Sequence, residues 1–190
     1  MRLFFAVELG ADAARDVARS VHPLLGQLGG DARLSAEGEL HVTLAFLGVV
    51  PDERAAAALA CAAEVAPAHA PFRLGLGGVG AFPSVEAPRI VWLGVTSGRE
   101  ALDRLALDLQ RALVAAGFTL EERAFSPHLT LARLGRHAPR EAIARALAAQ
   151  GSDEVASAEV GAIVLLRSDG RERGSAYPEV ARVPLVGRSA

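Results

Sequence analysis

Two eight-residue segments of this 190-residue chain are nearly identical, and they constrain its fold more than any other feature. The segment HVTLAFLG begins at His41, and HLTLARLG begins at His128. Polar and apolar side chains alternate over the first four residues of each, which is the period of a half-buried β-strand. The repeat predicts two equivalent strands. Each would turn an apolar face to the core and carry a histidine and a threonine on its other face.

The segments around the two repeats also match. Strands are predicted at residues 2–9, 40–47, 72–82, 89–95, 126–134, 159–167 and 177–186, and helices at residues 11–28, 51–65, 97–116 and 139–149. Leu3 in the first strand precedes His41 by 38 residues, and Ile90 precedes His128 by the same number. Each half of the chain is therefore strand, helix, histidine strand, helix, strand.

This order predicts an α+β fold in a single bilobal domain that spans residues 1–190. Pseudo-repeats at about residues 1–85 and 86–190 would form two pseudo-symmetric lobes. Each lobe is expected to have an antiparallel β-sheet with helices on its outer face. The histidine strands could then face each other across a central cleft.

The composition excludes several classes of function. All 20 basic residues are arginine, which excludes a phosphate-binding loop ending in Gly-Lys, Schiff-base chemistry and a nucleotidylated lysine. Cys61 is the single cysteine, so the chain forms no internal disulfide. The formal net charge of −2 does not suit a non-specific duplex binder. Any contact with nucleic acid is expected to be local.

The sequence also carries an expectation about location. No uninterrupted apolar run approaches the roughly 18 residues of a membrane-spanning helix. The apolar stretch at the N-terminus is too short for a secretory signal and is followed at once by acidic residues. We therefore expect a cytoplasmic protein. We also expect a monomer, without a protein partner or a cofactor.

His41 and His128 are the candidate catalytic residues. An imidazole titrates near neutral pH, so one histidine can accept a proton while its partner donates one. Thr43 and Thr130 share a strand face with them and can donate hydrogen bonds to phosphate oxygens. Such a pair suits cleavage of a phosphodiester without a metal. The alternative is a metal site, for which Glu39 on the His41 face is the nearest third ligand.

The motifs HVTLAFLG and SPHLTLARL resemble the paired signatures of the two-histidine phosphoesterases. More specifically, they resemble the RNA 2′,3′-cyclic phosphodiesterases, once named 2′-5′ RNA ligases. The similarity extends along nearly the whole chain, through RLFFAVEL at the start, GAFPS at residues 80–84, RIVWLGV at residues 89–95 and the closing stretch 166–185 with Tyr177.

The resemblance implies a metal-independent enzyme without a nucleotide cofactor. Its substrate would be RNA with a 2′,3′-cyclic phosphate end, opened to a 2′-phosphate, and the reverse reaction would join RNA ends through a 2′-5′ linkage. The resemblance further implies that His41 is the proton donor and His128 the proton acceptor. The two motifs by themselves do not orient the pair.

Three further residues are candidates for contacts with the substrate. Arg133 matches an arginine of the family and would bind phosphate, although its odd offset from His128 turns it from the cleft unless the strand bulges or ends there. Phe46 could stack on a base, but its parity favours the core. Tyr177 follows the arginine-bearing loop 167–173 and would line the substrate channel or cap the last hairpin. The loop itself could contact RNA phosphates.

Two alternatives share some of these features. One is a phosphodiesterase with the same histidine pair that acts on another small cyclic or 2′-5′-linked nucleotide. The other is a module that binds RNA ends without turnover. The presence of both histidines and both threonines argues against a pure binder, which needs anion contacts but no acid–base pair.

Overall fold

The computed structural model describes residues 1–121, 124–169 and 177–187. Its four helices are α1 (Ala11–Leu25), α2 (Asp52–Val65), α3 (Arg99–Ala115) and α4 (Arg140–Ala148). The nine strands are β1 (Arg2–Glu8), β2 (Ala32–Leu34), β3 (His41–Val49), β4 (Phe72–Phe82), β5 (Ile90–Ser97), β6 (Leu129–Leu134), β7 (Glu154–Val160), β8 (Ala162–Arg167) and β9 (Glu179–Pro184).

The helices form where apolar residues recur at helical spacing. Helix α1 buries Val17, Val21 and Leu24, and α3 buries one leucine stripe in the same way. Helix α1 ends three residues before the predicted end because Pro23 stands in its last turn and Gly26 follows as the C-cap residue. In the described ranges, no helix is both long enough and apolar enough to cross a membrane.

The strands form one curled antiparallel sheet in the order β7-β4-β5-β6-β3-β1-β8-β9, and β2 pairs with the end of β6. The predicted α+β fold with antiparallel pairing is confirmed. The two expected sheets are continuous, however, because the histidine strands β3 and β6 pair through Val42 and Leu129. Away from that pair the two strands separate, and β2 takes the free edge of β6.

The two halves of the sequence exchange their last strands. Strand β4, from the first half, pairs with β5, and β8, from the second half, pairs with β1. Each side of the sheet therefore contains strands from both halves of the chain. The pseudo-repeats at residues 1–85 and 86–190 stay an interpretation of the sequence, and neither corresponds to a separate side of this sheet.

Two predicted strands differ clearly from the structure, and one short strand was not predicted. The strand predicted at 159–167 is two strands, β7 and β8, which Gly161 separates. Strand β7 begins at Glu154. Its start was not predicted because its small and polar residues form no apolar run. Strand β2 was not predicted because its three residues are too few to show a period. The last strand is shorter than predicted at both ends.

Two apolar clusters lie on opposite faces of the sheet. The main core packs the helices against one face and includes Phe5, Val42 and Leu129. The smaller cluster consists of Phe4, Ala6, Val164 and Leu166, with Tyr177 packed against it. Because successive residues of a strand point to opposite faces, the smaller cluster lies on the face opposite the main core.

Candidate active site

The pair Val42–Leu129 brings the two histidine motifs together. Counting one residue outward on these antiparallel strands sets Thr43 opposite His128 and Thr130 opposite His41. Val42 and Leu129 are fully buried, so the four polar residues lie on the other face of the sheet. We call this the cleft face. Each histidine therefore lies beside the threonine of the other motif.

Both imidazoles are held in the same way. Nδ1 of His41 lies 2.7 Å from the main-chain oxygen of Glu39, and Nδ1 of His128 lies 2.7 Å from that of Ser126. A carbonyl oxygen only accepts hydrogen bonds, so each Nδ1 carries a proton. In the neutral ring Nε2 is then the basic atom. Both rings thus have a fixed tautomer and one nitrogen left for a substrate.

The environment favours the neutral form of both rings. The pKa of His41 is lowered from 6.5 to about 4, mainly by burial and to a smaller extent by the nearby His128 and Arg133. Burial also lowers the pKa of His128, and Arg133 adds to this effect. Charges act over short distances in a protein site. The mutual effects indicate that these three side chains share one site.

An extra residue in each histidine strand changes which side chains reach the cleft face. Between β1 and β3 the register shifts at Leu44, so that Ala6 lies opposite Thr43 and Phe4 opposite Phe46. Phe46 therefore returns to the face of Thr43 and is 51% exposed. The parity argument that favoured the core for Phe46 is wrong, because it assumed a strand without a bulge.

Arg133 returns to the cleft face in the same way. Between β5 and β6 the register shifts at Leu131, so that Trp92 lies opposite Thr130 and Ile90 opposite Arg133. The bulge that the odd offset of Arg133 required is therefore present. Arg133 is exposed and lies on the same face as His128 and Thr130.

Aromatic rings surround both histidines. The ring centroids of Phe4 and Tyr177 lie 5.0 and 5.2 Å from that of His41, and Phe46 lies 5.7 Å from Phe4. Tyr177 thus lies at the cleft face. On the other side, the ring centroid of Phe82 lies 4.8 Å from that of His128. These contacts bury the imidazoles and hold their planes.

Trp92 lies beside His128 because β4 has a glycine opposite it. The indole centroid is 6.3 Å from the His128 ring. Gly80 is the β4 partner of Trp92, and a Cβ built on it would lie 2.3 Å from two carbons of the indole ring. Only glycine leaves room for the ring to cross the strand at this point. The GAFPS segment thus shapes the His128 side of the cleft.

Sequence reasoning did not select Arg33 as a functional residue. Arg33 is the Cα partner of Arg133 across β2 and β6, and its guanidinium donates a hydrogen bond to Glu39 at 3.0 Å. The family resemblance leads us to expect a tryptophan near residues 33–35, which this chain lacks. The signal that could have found Arg33 is a positive charge four residues ahead of the 3₁₀ turn, Glu37–Glu39, that leads into the first motif.

The carboxylate of Glu39 is buried and bonded to Arg33 and to a main-chain N–H. It is 6% exposed, accepts the hydrogen bond from Arg33 and accepts another from the main-chain N–H of Ala36. Within the described part of the chain, no three histidine, cysteine or acidic side chains come together as metal ligands. The metal-site alternative required such a carboxylate beside the two imidazoles.

The other histidines differ in their surroundings. The sequence predicts that His22, His69 and His137 are exposed, since none lies on a predicted strand. His22 and His137 are exposed, whereas His69 is 7% exposed and its Nε2 lies 3.1 Å from a carboxylate oxygen of Asp108. The prediction for His69 is therefore wrong, because its ring contacts Asp108 of α3 and its main-chain oxygen accepts the N–H of Gly187. Residues 170–173 of the arginine-bearing loop 167–173 lie outside the described residues.

The sequence and the fold both match known proteins. The RNA 2′,3′-cyclic phosphodiesterase of Geobacillus stearothermophilus is 37% identical over 97% of this chain, and the chain spans 57% of that protein's length. The protein of the same name from Aeropyrum pernix is 36% identical over 75% of this chain and 80% of its own length. E. coli LigT, solved in complex with 3′-AMP, superimposes with a TM-score of 0.75 at 27% identity over 97% of each chain.

A sequence profile extends this likeness to a family. The profile of the 2′-5′ RNA ligase superfamily matches residues 11–172, a span that contains both histidine motifs and both bulges. Two histidines on paired strands, each with a threonine two residues on, lie within that matched region. The chain therefore belongs to the 2′-5′ RNA ligase superfamily.

Proposed function

We propose that this protein hydrolyses 2′,3′-cyclic phosphate ends of RNA to 2′-phosphomonoesters by general acid–base catalysis. The observation that carries the proposal is the arrangement of the two imidazoles. Each has Nδ1 fixed on a main-chain carbonyl and lies beside the threonine of the other motif. A cyclic phosphate that enters between them meets two proton-transfer groups and two hydroxyl donors.

The proposed reaction is a displacement at phosphorus. His128 Nε2 takes a proton from water as the water oxygen bonds to phosphorus. The bond from phosphorus to the 3′ oxygen breaks, and His41 Nε2–H gives its proton to that oxygen. The phosphate remains on the 2′ oxygen. Each transfer contributes roughly 100- to 10,000-fold to the rate, and the two histidines regain their starting protonation by exchange with solvent.

The donor role of His41 requires that the substrate raise its pKa. In the free protein burial lowers that pKa to about 4, so the ring is mostly neutral at pH 7. A bound phosphate brings a negative charge next to the imidazole, and an opposite charge within a few ångströms raises the pKa of a histidine. Arg133 acts in the other direction, since its charge favours the neutral rings.

The remaining site residues would hold the substrate. The hydroxyls of Thr43 and Thr130 donate hydrogen bonds to the non-bridging phosphate oxygens, and Arg133 adds a charge-assisted bond. Phe46 presents an exposed ring on which a base can stack, with Phe4 behind it. Tyr177 lies edge-on to His41 and would border the path of the RNA.

We propose that the same site also joins RNA ends, in the reverse of the cleavage of a 2′-5′ linkage. If the 5′-hydroxyl of a second RNA replaces water as the nucleophile, its oxygen bonds to phosphorus and the 3′ oxygen leaves as before. The product is then a 2′-5′ linkage. His128 and His41 move the same protons in this reaction, so ligation requires no additional catalytic group.

The expectation of a cytoplasmic monomer stays a prediction.

The test is to identify the product of a short RNA with a 2′,3′-cyclic phosphate end, incubated with the protein in the presence of EDTA. We expect a 2′-phosphate end, distinguished from a 3′-phosphate by phosphorus NMR. A 3′-phosphate product would contradict the assignment of the leaving group. If neither RNA nor mononucleotide 2′,3′-cyclic phosphates react, the substrate is another nucleotide or the protein is a binder. Restoration of activity by a divalent ion after EDTA treatment would favour the metal site.

A further inference from the structure

The candidate for a second anion site is the arginine pair Arg33 and Arg133. These residues are direct partners on the antiparallel strands β2 and β6. Side chains of directly opposite residues leave the same face of a sheet, with Cβ atoms about 5 Å apart. Because Arg133 lies on the cleft face, Arg33 lies there too. Both guanidinium groups thus stand beside the catalytic residues rather than on the helix-covered face.

Strand β2 is fixed at both ends, so this placement is not that of a loose loop. The N–H of Ser35 donates to the carbonyl of Leu131 at 2.8 Å, and the N–H of Gly135 donates to the carbonyl of Asp31 at 2.9 Å. The Asp31 carboxylate also accepts the N–H of His137 at 2.7 Å. These bonds hold β2 along the edge of β6.

Two like charges directly opposite each other destabilise a sheet, and a single carboxylate offsets this repulsion. Glu39 lies 3.0 Å from Arg33, and its carboxylate is almost fully buried. Among the residues that the structure describes, no ion pair joins Arg133 to a carboxylate. The two guanidinium groups therefore have one buried carboxylate beside them, which pairs with Arg33. The site retains a net positive charge at a protein surface whose overall charge is negative.

The pair lies further along the strand than the catalytic histidines and threonines. Discounting the bulged residue, Arg133 is two strand steps beyond Thr130, or about 7 Å. That distance is similar to the separation of neighbouring phosphates along an RNA strand. Arg33 is on the outer strand, on the side of Arg133 away from β5. A phosphate between the histidines is therefore nearer to Arg133 than to Arg33, whose guanidinium binds Glu39.

We propose that Arg33, together with Arg133, binds the phosphodiester that precedes the terminal nucleotide, so that the site prefers an RNA end to a cyclic mononucleotide. This inference rests on the proposed function. A cyclic mononucleotide has one phosphate and cannot occupy the second position. Planar guanidinium groups are suited to phosphate because they donate two parallel hydrogen bonds. Glu39 positions Arg33 for this contact, while the main-chain oxygen of the same residue holds His41.

The experiment compares two substrates in wild type and in Arg33→Gln. One is a trinucleotide with a 2′,3′-cyclic phosphate end, and the other is a mononucleotide 2′,3′-cyclic phosphate. We expect kcat/KM for the trinucleotide to fall about tenfold and that for the mononucleotide to change less than threefold. Loss of one phosphate contact should also make the salt dependence of trinucleotide binding less steep by about one unit in the log–log slope. Arg15→Gln, which removes a surface arginine of α1, is the matched control.

Arg33→Gln also leaves the buried Glu39 without its ion pair, which can destabilise the fold. The double variant Arg33→Gln/Glu39→Gln keeps a neutral hydrogen-bonding pair at the same place and is measured in parallel, with Glu39→Gln alone as its reference. The same selective loss in the double variant supports the RNA contact. An equal loss on both substrates, or no loss on either, overturns it and assigns Arg33 to support of Glu39.

Affinity measurements test this inference independently of the proposed function. The affinities of a trinucleotide and a mononucleotide that both end in a 2′-phosphate are measured by calorimetry. If the wild type does not turn over either cyclic substrate, the proposed function fails. The ratio of these two affinities, and its loss in Arg33→Gln, still decides whether Arg33 recognises a second phosphate. Equal affinity for both ligands in the wild type would contradict the inference.

Discussion

Phe46 and Arg133 occupy equivalent positions on the two histidine strands. Each lies five residues after its histidine, and each is turned to the cleft face by one extra residue, Leu44 in β3 and Leu131 in β6. The catalytic pair is therefore nearly symmetric, but its surroundings are not. One side offers an aromatic ring where the other offers a guanidinium. This difference would orient a nucleotide, with its base toward Phe46 and its phosphates toward Arg133.

The pH dependence of kcat/KM should have its maximum below neutral pH. The active form needs one imidazolium and one neutral imidazole, and kcat/KM reports the pKa values of the free enzyme. The pKa of His41 is about 4 and that of His128 is below 6.5, so the maximum lies between about 4 and 6.5. Above both pKa values the active fraction falls about tenfold per pH unit. A value of kcat/KM that rises from pH 6 to pH 8 would contradict this assignment.

The variant Arg133→Gln tests whether the arginine charge lowers the pKa values of the two histidines. The guanidinium lowers the pKa of both histidines, so its removal should raise both pKa values. The alkaline limb of the kcat/KM profile should therefore move to higher pH, even though the rate itself falls through the loss of a phosphate contact. An alkaline limb that stays in place would show that Arg133 does not act on the imidazoles.

Thr43→Val and Thr130→Val should each lower kcat/KM by about 10- to 100-fold. Each removes one hydroxyl donor to a charged phosphate, an interaction worth roughly 1.5 to 3 kcal/mol. The matched controls are Thr43→Ser and Thr130→Ser, which keep the hydroxyl and should recover most of the rate. Steady-state kinetics on the cyclic-ended RNA measures this. If the valine and serine variants are equally active, the hydroxyls do not bind the phosphate.

Phe46→Ala should raise KM by about tenfold and change kcat little. Stacking on a base is worth about 1–3 kcal/mol. It is present in both the bound ground state and the transition state, so its loss weakens binding without slowing the chemical step. Phe46→Trp should retain the wild-type KM. Val49→Ala is a suitable control, since Val49 is an exposed apolar residue of the same strand. A KM unchanged by Phe46→Ala would show that the ring does not contribute to substrate binding.

Gly80→Ala should lower both the melting temperature and the activity. The added Cβ would lie 2.3 Å from the indole of Trp92, so the ring beside His128 has to shift. Overpacking of this kind costs about 1–3 kcal/mol in the free energy of unfolding. Gly161→Ala is the control, because a Cβ there meets no atom within 4 Å. Thermal unfolding and kcat measure the effect; equal melting temperatures for both variants would contradict it.

The histidine pair and its threonines were predictable from the sequence because the period of a strand assigns each side chain to a face. The same reasoning failed for Phe46, since one bulged residue reverses the parity after Thr43. For Arg133 the sequence predicted only that a bulge was needed. The equal spacing of 38 residues is also one residue too long in the first half. Phe4 lies opposite Phe46, and Ile90 lies opposite Arg133. Phe4, not Leu3, is therefore the equivalent of Ile90.

The pairing of distant strands was beyond sequence reasoning. The exchange of β4 and β8 between the two halves depends on which edges are free after the histidine strands pair, and no local pattern records it. The same holds for Arg33. Its strand is three residues long, and its significance lies in the register with β6, which becomes visible only when the strands are placed side by side.

The central claim is that His41 donates a proton to the 3′ oxygen and His128 accepts one from water. Single-turnover rates of His41→Gln and His128→Gln test it on two substrates: the cyclic-ended RNA, and its analogue with sulfur in place of the bridging 3′ oxygen. A thiolate leaves without a proton, so the analogue should restore most of the rate in His41→Gln but not in His128→Gln. On the normal substrate both variants should lose at least 100-fold. A variant that retains more than about a tenth of the wild-type rate would contradict the acid–base pair, and rescue of His128→Gln instead would reverse the two roles.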